Sequence, residues 1–223
     1  VHASSVNPVD TKIRRGGQRA IIRYKLPWTL GLDVAGEVIE AGPKVQGLAV
    51  GDRVWSSPTH RRPGCYAEEV CIDARHVGRM PPSLSFEEAA SLPLVAETAW
   101  DALVRFGRLE AGERVLVTVG SGGVGTAAIQ IAKARGAHVV TTCSPRNEEL
   151  VRSLGADEVI DYRTQRIEKA TADIDLAIDS LGDEETRAAL MQVLRRGGRL
   201  ASLVANVPRF VEQHGVNLGL VRA

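Results

Sequence analysis

Residues 115–125 read V-L-V-T-V-G-S-G-G-V-G. Val115 to Val119 carry no charge and include three Val and one Leu, the composition of a strand buried on both faces. Gly120, Gly122 and Gly125 follow in G-x-G-x-x-G spacing. Behind them Val124, Ala127, Ala128, Ile131 and Ala132 recur at helical intervals. Glycines between a strand and a helix meet the needs of a bound pyrophosphate. The first makes a tight turn, the second allows close approach, and the third lets the helix pack on the sheet. The helix start supplies free N–H groups and the positive end of the dipole. The stretch therefore predicts a dinucleotide site at Gly120, Ser121, Gly122, Gly123, Val124 and Gly125.

Working outward, strand and helix patterns alternate from about residue 112. Strands are expected at Val115–Val119, Val139–Cys143, Val159–Asp161, Ile174–Asp179 and Leu200–Val204. Helices are expected at Val124–Arg135, Glu148–Leu154 and Thr186–Leu194, with Gly155 as a C-cap glycine and Arg195-Arg196 as a solvated helix end. This alternation implies an α/β protein with a parallel, doubly wound sheet. Only five strands are legible, so the expected order is 3-2-1-4-5 with the fifth as an open edge. Such an edge invites pairing with a second copy, which predicts a homo-oligomer. Pro208, Gly215 and Gly219 interrupt any long helix after Val204.

Residues 1–95 read differently. Short strand-like runs at Val34–Ile39, Val54–Ser56 and Tyr66–Ile72 sit among turn signals such as Gly42-Pro43 and Arg62-Pro63-Gly64, suggesting a small, partly open barrel. Ser85-x-x-Glu88 has capping-box spacing and opens a short helix ending before Pro93. A further helix is expected at Thr98–Val104, with Gly107 past its end.

The 223 residues are 44% hydrophobic with a formal net charge of +1, which gives no reason to propose a nucleic acid or membrane partner. Three cysteines, Cys65, Cys71 and Cys143, form no C-x-x-C and suit a reducing cytoplasm; Cys65 and Cys71 read as buried thiols. His2, His60, His76, His138 and His214 lack metal-ligand spacing, so no metal is expected. Past the second strand of the alternation, no acid precedes Glu148 to accept ribose hydroxyls. Ser144 and Arg146 stand there instead and suit a 2′-phosphate, so the expected cofactor is NADPH.

Taken with G-L-D-V-A-G-E-V (31–38), G-D-R-V (51–54) and L-P-L-V-A-E-T-A-W (92–100), the glycine stretch resembles the medium-chain dehydrogenase/reductase superfamily. Val6-Asn7-Pro8-Val9-Asp10 and Val159-Ile160-Asp161-Tyr162 resemble its zinc-free quinone oxidoreductase branch. The resemblance implies a GroES-like catalytic domain (1–95), a Rossmann domain (96–223) and NADPH held between them. It also implies that the first strands of the one domain and the last strand and C-terminal return of the other lie outside this chain, with weak or no turnover as the consequence.

By the same resemblance, Asn7 and Leu32 occupy positions where zinc-dependent relatives place metal ligands. Asn7 and Asp10 either organise a turn or line the substrate. Thr98 lies near the nicotinamide, Tyr162 beside the adenosine phosphate, and Leu181 completes the cofactor set. Proton delivery is open among Lys12, Tyr24 and water. Without a metal to stabilise charge on oxygen, the acceptor must delocalise it, which points to quinones or α,β-unsaturated carbonyls as small-molecule substrates. The alternatives are an enoyl-thioester reductase, with Arg14, Arg15, Arg19 and Arg23 along a basic groove, or a non-catalytic NADPH-binding protein.

Overall fold

The computed structural model describes residues 1–16, 25–59, 62–204 and, for the backbone, 217–220. The chain divides into two compact units, Val1–Leu94 and Val95–Ala223.

In the first unit, helix α1 (Pro8–Arg14) starts with Pro8, whose missing N–H costs nothing there, and carries Asp10 in its first turn. Strands β1 (Val34–Glu37), β2 (Arg53–Ser56) and β3 (Val77–Arg79) pair antiparallel in that order. Tyr66–Ile72, expected as a strand, is irregular. At its start the backbone makes a point contact instead of a ladder: Tyr66 N donates to the Leu30 carbonyl at 2.9 Å, next to the bond from Cys65 N to the Gly31 carbonyl at 3.2 Å. Helix α2 (Phe86–Ala90) opens on the expected capping box. Glu88 N donates to Ser85 Oγ at 3.1 Å, and Ser85 N to Glu88 Oε2 at 2.8 Å.

The second unit is entered through α3 (Pro93–Trp100), which widens into a π-helical turn at Asp101–Phe106. The helix expected at Thr98–Val104 thus straddles two helix types. Gly107 N closes the wide turn on the Ala102 carbonyl at 3.0 Å, and a Cβ at Gly107 would lie 2.4 Å from that oxygen.

Strands β4 (Arg114–Val117), β5 (His138–Cys143), β6 (Glu158–Asp161), β7 (Ile174–Asp179), β8 (Leu194–Ser202) and β9 (Asn217–Leu220) form one parallel sheet in the order β6-β5-β4-β7-β8-β9. Helices α4 (Gly123–Ala134), α5 (Glu148–Ser153), α6 (Ile167–Ala170) and α7 (Glu184–Val193) connect them. Two expectations are corrected here. A sixth strand exists: β9 pairs with β8, with Leu200 opposite Leu218, so the fifth strand is not an edge and the case for self-association through it falls. Arg195-Arg196 begin β8 rather than end a helix, because α7 stops at Val193 and the Arg195 side chain pairs with Asp175 on neighbouring β7.

Packing explains the continuous apolar runs. Val115 and Val117 meet Ala128, Ile129 and Ala132 of α4 on one face. Leu116 meets Leu190 and Val193 of α7 on the other. Both faces are covered, so strict alternation of polar and apolar residues has no place in β4 or β5. Each large aliphatic side chain so buried contributes about 1.5–3 kcal/mol.

Candidate functional site

β4 ends at Val117, two residues before the expected end, because Thr118 and Val119 already turn. Thr118 Oγ1 donates to the Ile178 carbonyl at 2.9 Å, and Val119 adopts φ 57°. A non-glycine residue in the left-handed region marks a turn held by its surroundings. Val119 N is anchored on Thr142 Oγ1 at 3.0 Å and Gly120 N on the Thr142 carbonyl at 2.9 Å.

Gly120 and Gly125 are required by contact. A Cβ at Gly120 would lie 2.0 Å from Thr141 Oγ1, and one at Gly125 would lie 2.2 Å from the Val119 carbonyl. Gly122 is the N-cap of α4 and offers no side chain to it, so the N–H groups of the first turn carry no side-chain cap. A Cβ at Gly123 would lie 3.0 Å from Val95 Cγ1, which brings α3 against the start of α4. Thr98, buried, follows Val95 by one helical turn on α3. The turn fits a pyrophosphate on the count of donors and of space.

The strand order reverses between β4 and β7, and ligands of such sheets bind outside the C-terminal strand ends at that point. The remaining cofactor candidates lie on those ends. Cys143 pairs with Asp161, so the chain leaves β5 at Ser144 and β6 at Tyr162 side by side. Ser144 is buried, Tyr162 is 57% exposed, and Arg146 is exposed with no hydrogen bond or ion pair to a described residue. Leu181, 53% exposed, follows β7. One link was not anticipated: Asn147 Nδ2 donates to Ser121 Oγ at 2.9 Å.

The first unit gathers buried Asn7, Asp10 and Asp33 into a cluster with half-buried Ser5 and the more exposed Tyr66. Asp10 Oδ2 accepts from Asn7 N at 2.9 Å and from the Tyr66 hydroxyl at 2.9 Å, and its Oδ1 accepts from Gly31 N at 3.3 Å. Asp10 therefore organises the turn into α1. Asn7 Nδ2 donates to Asp33 Oδ2 at 2.7 Å and to Ser5 Oγ at 3.1 Å, which engages both amide hydrogens. Asp33 also accepts from Ser5 Oγ at 2.5 Å and Leu94 N at 2.7 Å.

Burial pushes the Asp33 carboxyl above the usual range despite these donors, and the Cys65 thiol up to about 12. Burial and the adjacent Asp10 carboxylate raise the Tyr66 hydroxyl as well. Tyr66 and Asp33 escaped the sequence reading because their partners lie far along the chain. Leu32, fully buried, occupies the second position discussed for a metal ligand. Among the described residues no group of three His, Cys, Asp or Glu side chains is placed to hold a metal. Arg14 and Arg15 are exposed at the end of α1, whereas Arg19, Arg23, Tyr24, His60 and His214 lie outside the described residues. An apolar groove of about 320 Å³, lined by Val34, Val38, Val54, Val70 and Val77, contains none of the candidate residues. Cys71, expected buried, is exposed. No helix among the described residues is long and apolar enough to cross a membrane.

A six-stranded doubly wound sheet with a glycine turn at its order reversal, following a small antiparallel β unit, defines a dinucleotide-binding protein of the two-domain dehydrogenase type. The alcohol dehydrogenase GroES-like domain matches residues 1–82 and the zinc-binding dehydrogenase domain residues 123–209. The chain belongs to the medium-chain dehydrogenase/reductase superfamily, in its quinone oxidoreductase-like branch. An alcohol dehydrogenase superfamily protein from Novosphingobium aromaticivorans superposes with a TM-score of 0.90 at 34% identity, covering 98% of this chain and 68% of that one. The quinone oxidoreductase from Coxiella burnetii gives 0.86 at 33% identity, covering 100% and 73%. The mitochondrial NAD(P)H oxidoreductase RTN4IP1 of Danio rerio is 39% identical over 100% of this chain, which spans 63% of that relative's length.

Proposed function

We propose that the protein is an NADPH-dependent oxidoreductase that reduces quinones or α,β-unsaturated carbonyls without a metal. The observation that carries this reading is the glycine turn at the uncapped start of α4, with Ser144 and Arg146, unpaired among the described residues, on the adjacent strand end. A 2′-phosphate beside Arg146 would gain a bidentate, charge-assisted partner. The NAD(P)H and quinone oxidoreductase relatives support the reaction class. When bound, the cofactor supplies a hydride.

The chain's own residues do the rest. Gly120 to Gly125 take the pyrophosphate, Ser144, Arg146 and Tyr162 the adenosine phosphate, and Thr98 and Leu181 border the nicotinamide. Asn7 offers the acceptor oxygen the hydrogen now given to Ser5, the longer of its two bonds. Asp10 and Asp33 hold Asn7 in place from its backbone and its amide. An amide and an aliphatic side chain at Asn7 and Leu32 supply neither a thiolate nor an imidazole, which supports a reaction free of zinc. The free cysteines support a reducing compartment.

The test is direct: NADPH and NADH affinity by titration, then NADPH oxidation with a panel of quinones, enones and enoyl thioesters. Tight NADPH binding with quinone or enone turnover is expected. Turnover of enoyl thioesters alone would replace the substrate class, and equal affinity for both cofactors would remove the NADPH assignment. Stoichiometric zinc surviving mild chelation would overturn the metal-free reading.

A further inference from the structure

The loop after β7, Ser180–Leu181–Gly182, is held more tightly than an exposed loop requires. Asp179, fully buried, accepts from Leu181 N at 3.0 Å and Gly182 N at 2.8 Å through one oxygen, Oδ1. Ser180 N donates to Thr118 Oγ1 at 2.9 Å, which ties the loop to the end of β4 across the order reversal. From α7 behind it, Arg187 donates through Nη2 to the Gly182 carbonyl at 2.7 Å. Arg187 is only 9% exposed, a costly place for a guanidinium. Gly182 sits at φ 75°, and a Cβ there would lie 2.5 Å from Val204 Cγ2.

Every backbone N–H of the loop is therefore drawn inward, and what the loop turns outward is the Leu181 side chain. Two polar atoms here are shielded with no partner among the described residues, Ser180 Oγ and Arg187 Nε. Unsatisfied buried polar groups call for a reason, and the use of buried Arg187 to hold the Gly182 carbonyl supplies one.

We infer that Asp179 and Arg187 are positioning residues that clamp this loop so that Leu181 forms a fixed apolar shelf for the nicotinamide end of the dinucleotide. This rests on the NADPH reading of the site. Leu181 stands beside β4 and the glycine turn, at the order reversal. The adenosine-phosphate candidates Ser144 and Tyr162 stand on the opposite side of β4, at the ends of β5 and β6. The clamp should therefore govern one half of the ligand only.

The experiment compares NADPH with 2′,5′-ADP, which carries the adenosine phosphate and lacks the nicotinamide. Arg187→Met is expected to weaken NADPH about tenfold, the loss of one charged hydrogen bond, and to leave 2′,5′-ADP unchanged. Arg187→Lys, which keeps a cationic donor, is expected to restore most of the NADPH affinity. In the unmodified protein NADPH, but not 2′,5′-ADP, should slow amide hydrogen exchange at Leu181 and Gly182, a measurement independent of how the variants fold. Equal weakening of both ligands, no weakening of either, or exchange at these amides indifferent to NADPH would overturn the clamp alone. Unmodified protein that binds neither ligand would overturn the dinucleotide reading, and the clamp with it.

Discussion

Asn147 Nδ2 donates to Ser121 Oγ at 2.9 Å, joining residues 26 apart in sequence. The bond ties the short turn that carries Arg146 to the glycine turn at the start of α4. In the proposed site it would set where the Arg146 guanidinium stands relative to the pyrophosphate. Asn147→Ala is expected to weaken NADPH by about 1 kcal/mol, roughly fivefold, through loss of one neutral hydrogen bond. Fluorescence titration measures it, and an unchanged affinity would show that the turn holds Arg146 without this tie.

Arg146 has no partner among the described residues, so replacing it disturbs no bond among them. Arg146→Glu should leave the melting temperature nearly unchanged while weakening NADPH by about 1–3 kcal/mol, for a lost charged hydrogen bond and an added repulsion. NADH affinity should hold or improve. If both cofactors weaken in parallel, Arg146 does not read the 2′-phosphate.

What was legible in the sequence follows from range. The glycine turn was readable because Gly120, Gly122 and Gly125 stand close together between a strand pattern and a helix pattern. The capping box of α2 was readable for the same reason. β9 was not, since four residues containing Gly219 carry too little pattern to stand apart from a loop, and its pairing with β8 is purely tertiary. Tyr66 meets Asp10 across 56 residues, and Asn7 meets Asp33 across 26. No local periodicity encodes such contacts. Tyr66–Ile72 looked like a strand because its composition is strand-like, yet it joins no ladder, and Tyr66 N is spent on the Leu30 carbonyl.

The three thiols should differ sharply in reactivity. Cys71 is exposed, whereas Cys65 is buried and its thiol pushed up to about 12 by burial and by the Asp33 and Asp10 carboxylates. Cys143 is buried and raised in the same direction, chiefly by burial. The thiolate is the reactive form, so at about pH 8 one thiol per chain should react quickly with a disulfide reagent under native conditions, and three after denaturation. Rapid reaction of two or more in the native protein would contradict the burial of Cys65 or Cys143.

Gly125→Ala tests the close approach of α4 to the turn. The added methyl would lie 2.2 Å from the Val119 carbonyl and 2.7 Å from Gly120 Cα, both backbone atoms that cannot swing aside. The helix must shift outward, at a cost of about 1–3 kcal/mol in stability by overpacking. Urea denaturation should show a lower midpoint with an unchanged slope. NADPH affinity should fall with it, because the shift moves the first-turn N–H groups away from the phosphate. A variant of native stability would show that the helix start tolerates displacement.

Asp33 makes the stability of the protein depend on pH in a definite direction. Burial of its carboxyl raises its pKa, and Asp10 pushes the same way. The bonds from Ser5, Asn7 and Leu94 N lower it by less than burial raises it. The folded protein thus holds this proton more tightly than the unfolded chain, whose Asp titrates at about 3.9. The unfolded state binds fewer protons as pH climbs past that value, so the contribution of Asp33 is full below it and is lost as pH rises through the folded pKa. Asp33→Asn resembles the protonated form and removes the titration. Urea denaturation of both proteins between about pH 4 and pH 7 should show the variant gaining on the natural protein as pH rises. A difference that stays constant over that range would mean that the three donors hold the Asp33 carboxyl at its ordinary value after all.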